Sequence, residues 1–135
     1  IMVPVDLGHT EKLDRALGTA AALARESGAR VTYVGVTAPQ PGPVAHNPEE
    51  FAEKLGRFAA AEGETRGIEE AGFHAILAHD PAADMDAKLI EAVGTLGADL
   101  VVMGSHIPKR FEMTNHGGHM AAHCPVSVML VRDPA

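Results

Sequence analysis

Asp99-Leu100-Val101-Val102-Met103-Gly104-Ser105-His106 carries an apolar strand pattern into a small, polar turn, and Pro125-Val126-Ser127-Val128-Met129-Leu130-Val131-Arg132 repeats the apolar run. Between them lie a short polar loop and a segment of small residues. An apolar run that ends on Gly-Ser-His and feeds a helix is the pattern found at the rim of an α/β sheet. There, backbone N–H groups at a helix start can meet an anionic ligand.

The preceding residues repeat the same strand-then-helix unit. Ile1 to Val5 is near-continuously apolar, as in a strand buried on both faces. Thr10 is an N-cap candidate, after which Leu13, Ala16, Leu17, Ala20, Ala21 and Ala24 recur at helical spacing until Gly28. Arg30 to Val36 reads as the second strand. Pro39, Pro41 and Pro43 then exclude a helix between Thr37 and Asn47, which reads as a solvated connection.

Asn47-Pro48-Glu49-Glu50 is a helix start, with a cap, a proline in the first position and a carboxylate three residues on. Phe51, Leu55 and Phe58 share one face. Gly56, Gly63 and Gly67 weaken this helix by about 1 kcal/mol each relative to alanine, and Gly72 is read as its end. His74 to His79 follows as strand three. Asp80-Pro81 repeats the cap-and-proline start, Met85, Leu89, Val93 and Leu96 form the buried stripe, and Gly97 stops it. Strand four spans Leu100 to Met103; a short helix and a fifth strand, Val126 to Val131, follow.

Strands alternating with helices throughout predict a doubly wound, five-stranded parallel sheet with helices on both faces and right-handed crossovers. Residues 1–135 form one such domain, long enough to bury a core. In this architecture ligands sit beyond the carboxyl ends of the strands where strand order reverses, so Asp6 and Gly104 are expected to face one crevice.

Composition removes several classes. The net charge of −7, with eleven scattered basic residues, argues against a nucleic-acid surface, which needs a basic stripe. No apolar run approaches the roughly 18 residues a membrane span requires, so no membrane insertion is expected. The opening residues lack the basic start of a signal peptide, and an initiator with a few leading residues is expected before Ile1. One cysteine, Cys124, fits a reducing cytoplasm. With no Trp, one Tyr and four Phe, the core must be built from Ala, Val, Leu, Ile and Met.

Met2-Val3-Pro4-Val5-Asp6, the segment Gly97 to His106, and His123-Cys124-Pro125-Val126 at the entry to the last strand together resemble the universal stress protein family, over essentially the whole chain. The resemblance implies a Rossmann-like domain that binds an adenine nucleotide (AMP, ADP or ATP), a cytoplasmic homodimer, and a stress-response role without well-defined catalysis. Matched residue by residue, it implies that Asp6 meets the adenine and ribose, with Pro4 and Val5 beside it. Val36 would line the base, and Met103 and Gly104 would close the crevice from strand four.

The family's phosphate loop reads glycine, two residues, glycine, nine residues, then glycine followed by serine or threonine. Counted from Gly104, the second glycine position holds Ile107 and the closing pair falls on Gly117-Gly118. Anchored instead on His123, the closing pair falls on Thr114-Asn115 and the loop is three residues short. The second frame is favoured, because a helix starting after Gly118 would have only about five residues before Pro125. Started near Asn115, it gains about two turns.

Ile107 cannot readily take the positive-φ conformations of glycine, and Pro108 offers no N–H, so the phosphate loop is degenerate there. Ser105, Lys109, Arg110, Thr114 and Asn115 remain as side-chain donors. Ser105, Thr114 and Asn115 are the expected phosphate contacts.

His116, His119 and His123 share one helix face by spacing, but lack a carboxylate or thiolate at familiar separation and read as surface residues, so no metal site is expected. Ser105-His106 lacks a nucleophile elbow, Cys124 reads as a packing residue, and Asp80 is accounted for by capping. No catalytic residue is assigned; weak ATP hydrolysis stays open. The alternative to a nucleotide-binding module is a family member without nucleotide that acts as a dimeric interaction or signalling protein. In either case the apolar fifth strand, 126–131, is expected at a sheet edge that pairs with its copy.

Overall fold

The computed structural model describes residues 1–105 and 116–132. Its sheet contains β1 (Met2–Pro4), β2 (Val31–Thr37), β3 (Ala71–Leu77), β4 (Leu100–Ser105) and β5 (Ser127–Arg132), all parallel, in the order β3-β2-β1-β4-β5. The helices are α1 (Asp14–Ser27), α2 (Pro48–Arg66), α3 (Pro81–Leu96) and α4 (His116–His123). The chain steps outward from β1 to β2 and β3, then crosses back to lay β4 on the far side of β1. Strand order therefore reverses between β1 and β4.

Side-chain alternation divides the interior into two cores. Val3, Tyr33 and Val102 face the side covered by α1 and α2, with Leu17, Leu55 and Ala59. Met2, Val34, Val101 and Met103 face the side of α3 and α4, with Leu89, Val93 and Met120. Consecutive apolar residues in β1, β2 and β4 thus serve opposite faces, which is why these strands carry no polar alternation. Gly35 is required by closeness: a Cβ there would lie 2.7 Å from the Phe51 ring.

Several element boundaries differ from the sequence reading. Thr10 does not cap α1. After β1 the chain enters a 3₁₀ segment, Leu7–Leu13, broken at His9 (φ −142°, ψ 44°), and α1 begins only at Asp14. The cap is Asp6, whose carboxylate accepts from the Gly8 N–H at 3.0 Å. α2 stops at Gly67, not Gly72: Gly67 takes the left-handed conformation (φ 69°) and donates to the Gly63 carbonyl. Five residues are thereby released and β3 starts at Ala71, earlier than His74, pairing along its length with β2. β4 continues to Ser105 because β5 stays paired to it through Gly104↔Val131 and Ser105↔Arg132. The helix before β5 includes Gly117 and Gly118 in its first turn, as the His123-anchored frame requires.

The starts of α2 and α3 follow the sequence reading. Asn47 accepts from the Glu50 N–H at 2.8 Å, and the Glu50 carboxylate reaches back to the His46 N–H and ring. These bonds to His46, with one to Lys54, hold the Glu50 carboxyl below the usual range. Asp80 caps α3 through the Ala83 N–H.

Tyr33 is fully buried and stacks edge-on against Phe58, with ring centroids 5.4 Å apart. Its hydroxyl has no hydrogen-bond partner among the described residues. Burial, reinforced by the charge of Glu62, pushes its pKa up to about 12. The folded state therefore favours the neutral phenol, and this contribution is intact below pH ~10 and lost as pH rises toward ~12. Tyr33→Phe is expected to stabilise the protein by about 1 kcal/mol at neutral pH and to abolish this alkaline loss. Thermal denaturation of both proteins across alkaline pH checks it. An absorbance titration reads the phenol directly, since the chain has one tyrosine.

Candidate functional site

At the carboxyl end of the sheet, beside the strand reversal, lies a cleft of about 540 Å³. Pro4, Val5 and Asp6 form one wall as the chain leaves β1, and Met103 and Gly104 of β4 stand across from them. Val34 and Val36 come from β2, and Phe51, Met85 and Leu89 from the helices. The position follows from topology. The connections leaving β1 and β4 run to opposite faces of the sheet, so a groove opens between the strand ends.

Six of the nine residues expected to bind ligand therefore lie around one cleft: Pro4, Val5, Asp6, Val36, Met103 and Gly104. Ser105 is not among its lining residues. Its hydroxyl accepts from Arg132 Nη1 at 3.2 Å, and it also lies beside Gly117, where an added Cβ would be 3.2 Å from its Oγ. Thr114, Asn115 and Ile107, with Lys109 and Arg110, lie outside the described residues.

Asp6 serves the local turn and faces the cleft at once. One carboxylate oxygen accepts from Gly8 N–H, and the other lies 2.9 Å from His9 Nδ1. A carboxylate offers about four acceptor positions, so the turn leaves capacity for donors such as an exocyclic amine or a ribose hydroxyl. The carboxylate is well exposed, with two-thirds of the side-chain surface accessible (66%). Gly104 keeps its side of the groove low, and a Cβ there would press on Leu13 at 3.0 Å.

The connection between β2 and α2 does more than the solvated role read from its prolines. Pro41 to Ala45 forms an outer wall of the cleft. Ala45 is buried and accepts from the Gly42 N–H at 2.9 Å, while Lys54 donates to the Val44 carbonyl. The prolines restrict the backbone, and Val44 and Ala45 give the turn apolar weight to seat itself. Phe51, Met85 and Leu89 were legible as buried helical positions; their second role as cleft lining depends on helix placement.

His116 also lines the cleft, and its Nδ1 lies 2.7 Å from Asp86 Oδ1 on α3. His119 and His123 instead approach each other, with ring centroids 4.5 Å apart. The three imidazoles thus have different neighbours, and the described residues contain no group of three metal-ligating side chains. Asp80 caps its helix and does not line the cleft.

An apolar cleft at the switch point of a doubly wound parallel sheet, with a carboxylate at its edge, marks an α/β domain with a candidate small-ligand site where such sheets take their ligands. The chain belongs to the universal stress protein family, whose sequence model matches residues 1–132. Solved structures show the same fold. The universal stress protein from Archaeoglobus fulgidus in complex with dAMP is 20% identical (TM-score 0.66; 96% of this chain and 94% of that one covered). A universal stress protein in complex with cAMP is 19% identical (TM-score 0.71; 98% and 97% covered). A family protein from Arabidopsis thaliana with AMP bound is 17% identical (TM-score 0.56; 92% and 79% covered). The curated proteins contain no match to this sequence. No helix among the described residues is long and apolar enough to cross a membrane.

Proposed function

We propose that this protein is a cytoplasmic stress-response module that binds an adenine nucleotide without strong catalysis. The observation that carries the reading is the apolar cleft in which Asp6 and Gly104 meet across the strand reversal. Valine, methionine and phenylalanine side chains suit the faces of a purine, and Asp6 accepts from base or ribose donors at the rim. The relatives crystallised with AMP, dAMP and cAMP support an adenylate as the ligand class. The family match assigns the phosphate contacts to Ser105, Thr114 and Asn115.

Mass spectrometry of gently denatured, purified protein is expected to release an adenylate, and AMP is expected to bind the stripped protein in calorimetry. Repeated absence of nucleotide together with no heat on titration would overturn the reading in favour of the interaction-protein alternative. ATP turnover lost on replacing Asp6 would make the protein an enzyme.

A homodimer through β5 is part of the same proposal. β5 is an edge strand, with Met129 exposed and its outer backbone groups directed away from β4. Sedimentation is expected to show a dimer at micromolar concentration, and Val128→Pro, which removes a ladder donor and distorts the edge, to shift it toward monomer. A wild-type monomer at high micromolar concentration would reject it.

A further inference from the structure

Among the described residues lining the cleft, His116 is the single side chain able to carry positive charge; no lysine or arginine is in that lining. An anionic ligand entering here meets Asp6 on one side, and on the other a histidine whose ring is oriented from behind by Asp86 at 2.7 Å. A carboxylate only accepts, so the shared hydrogen resides on Nδ1 and His116 donates it to Asp86. In the neutral ring Nε2 is then an acceptor, unsuited to a phosphate oxygen; in the protonated ring it is a donor.

We propose that His116, positioned by Asp86, contacts the phosphate of the bound ligand through Nε2–H in its protonated form, so that binding takes up a proton. This rests on the nucleotide reading above and adds to it a specific contact and its linkage. The charged groups on elements packed against α4 are Asp84, Asp86, Lys88 and Glu91 of α3 and Arg132 of β5, while Asp6, paired with His9, lies on the opposite wall. Asp86 is the one bonded to the His116 ring, and Arg132 donates to Ser105. His119 and His123, on the same helix, are directed at each other.

A ligand phosphate against Nε2 favours the charged imidazole, so binding draws a proton onto the ring. Affinity is therefore full at the acid end and falls as pH rises, by at most about tenfold per pH unit for one proton.

The test is calorimetric titration of the full chain with AMP and, separately, with adenosine, between about pH 6.5 and about pH 8.5, in buffers of different ionisation heat. Wild type is expected to bind AMP about tenfold more weakly at the alkaline end, with net proton uptake on binding. His116→Gln should remove both the slope and the uptake. Asp86→Asn should reduce them, and His123→Gln should leave them intact, since His123 shares the helix but is not among the residues lining the cleft. Adenosine, lacking the phosphate, should bind without pH dependence. Melting curves confirm that the variants fold.

An equal slope in His116→Gln, or the same slope with adenosine, overturns the assignment while leaving the nucleotide reading in place. If wild type binds AMP at no pH in this range, both fall together.

Discussion

Replacing Asp6 by alanine is expected to weaken AMP binding at least about tenfold, about 1.4 kcal/mol, and to lower stability by about 1 kcal/mol. The two losses have different origins. Stability falls because the Gly8 N–H loses its acceptor and His9 loses its partner at the start of the 3₁₀ segment. Affinity falls because the same carboxylate faces the cleft, where it is the acidic side chain among the described lining residues. Asp6→Asn separates them. The amide oxygen still caps Gly8, so the melting temperature should stay near wild type, while the lost charge and acceptor positions should still weaken AMP. If both variants bind AMP as wild type does, Asp6 is a turn residue alone.

Leu55→Ala is expected to cost about 3 kcal/mol and lower the melting temperature by about 10 °C. Leu55 is fully buried in the core between α2 and the sheet, and Gly35 opposite it is already a glycine in order to admit Phe51 and Leu55. Leu77→Ala, on edge strand β3 with Leu77 46% exposed, should cost less than about 1 kcal/mol. Urea denaturation of the two variants reads the contrast. Equal losses would mean that β3 is covered in solution, by a second chain or another segment.

Much of the site was readable because its residues sit at strand ends, where the apolar pattern breaks. Asp6 follows Val5 and Gly104 follows Met103, and in a parallel sheet such breaks fall at the ligand-binding end. Other parts had no local signal. Residues 10–24 read locally as a helix capped by Thr10, but Asp6, four residues earlier, turns the chain first. The sequence reading ends α2 at Gly72, whereas the chain stops it at Gly67, and pairing with β2 takes Ala71 onward into the sheet. The loop through Pro41 and Pro43 reads as solvated by composition; only the position of the sheet beneath it shows that Val44 and Ala45 have something to pack on.

By itself the sequence determined the class of fold, the five strands and the aspartate–glycine pair of the cleft, because periodicity and strand-end chemistry are local properties. The tertiary structure decided what depends on separated residues meeting: the proline loop closing one wall, Ser105 lying against Arg132, and Asp86 on α3 reaching His116 thirty residues along the chain. Spacing alone had grouped His116 with His119 and His123 as one surface face. A helix face sets which side chains are neighbours on that helix, but the packing of α3 against α4 sets which of them looks into the cleft and which partner holds it there.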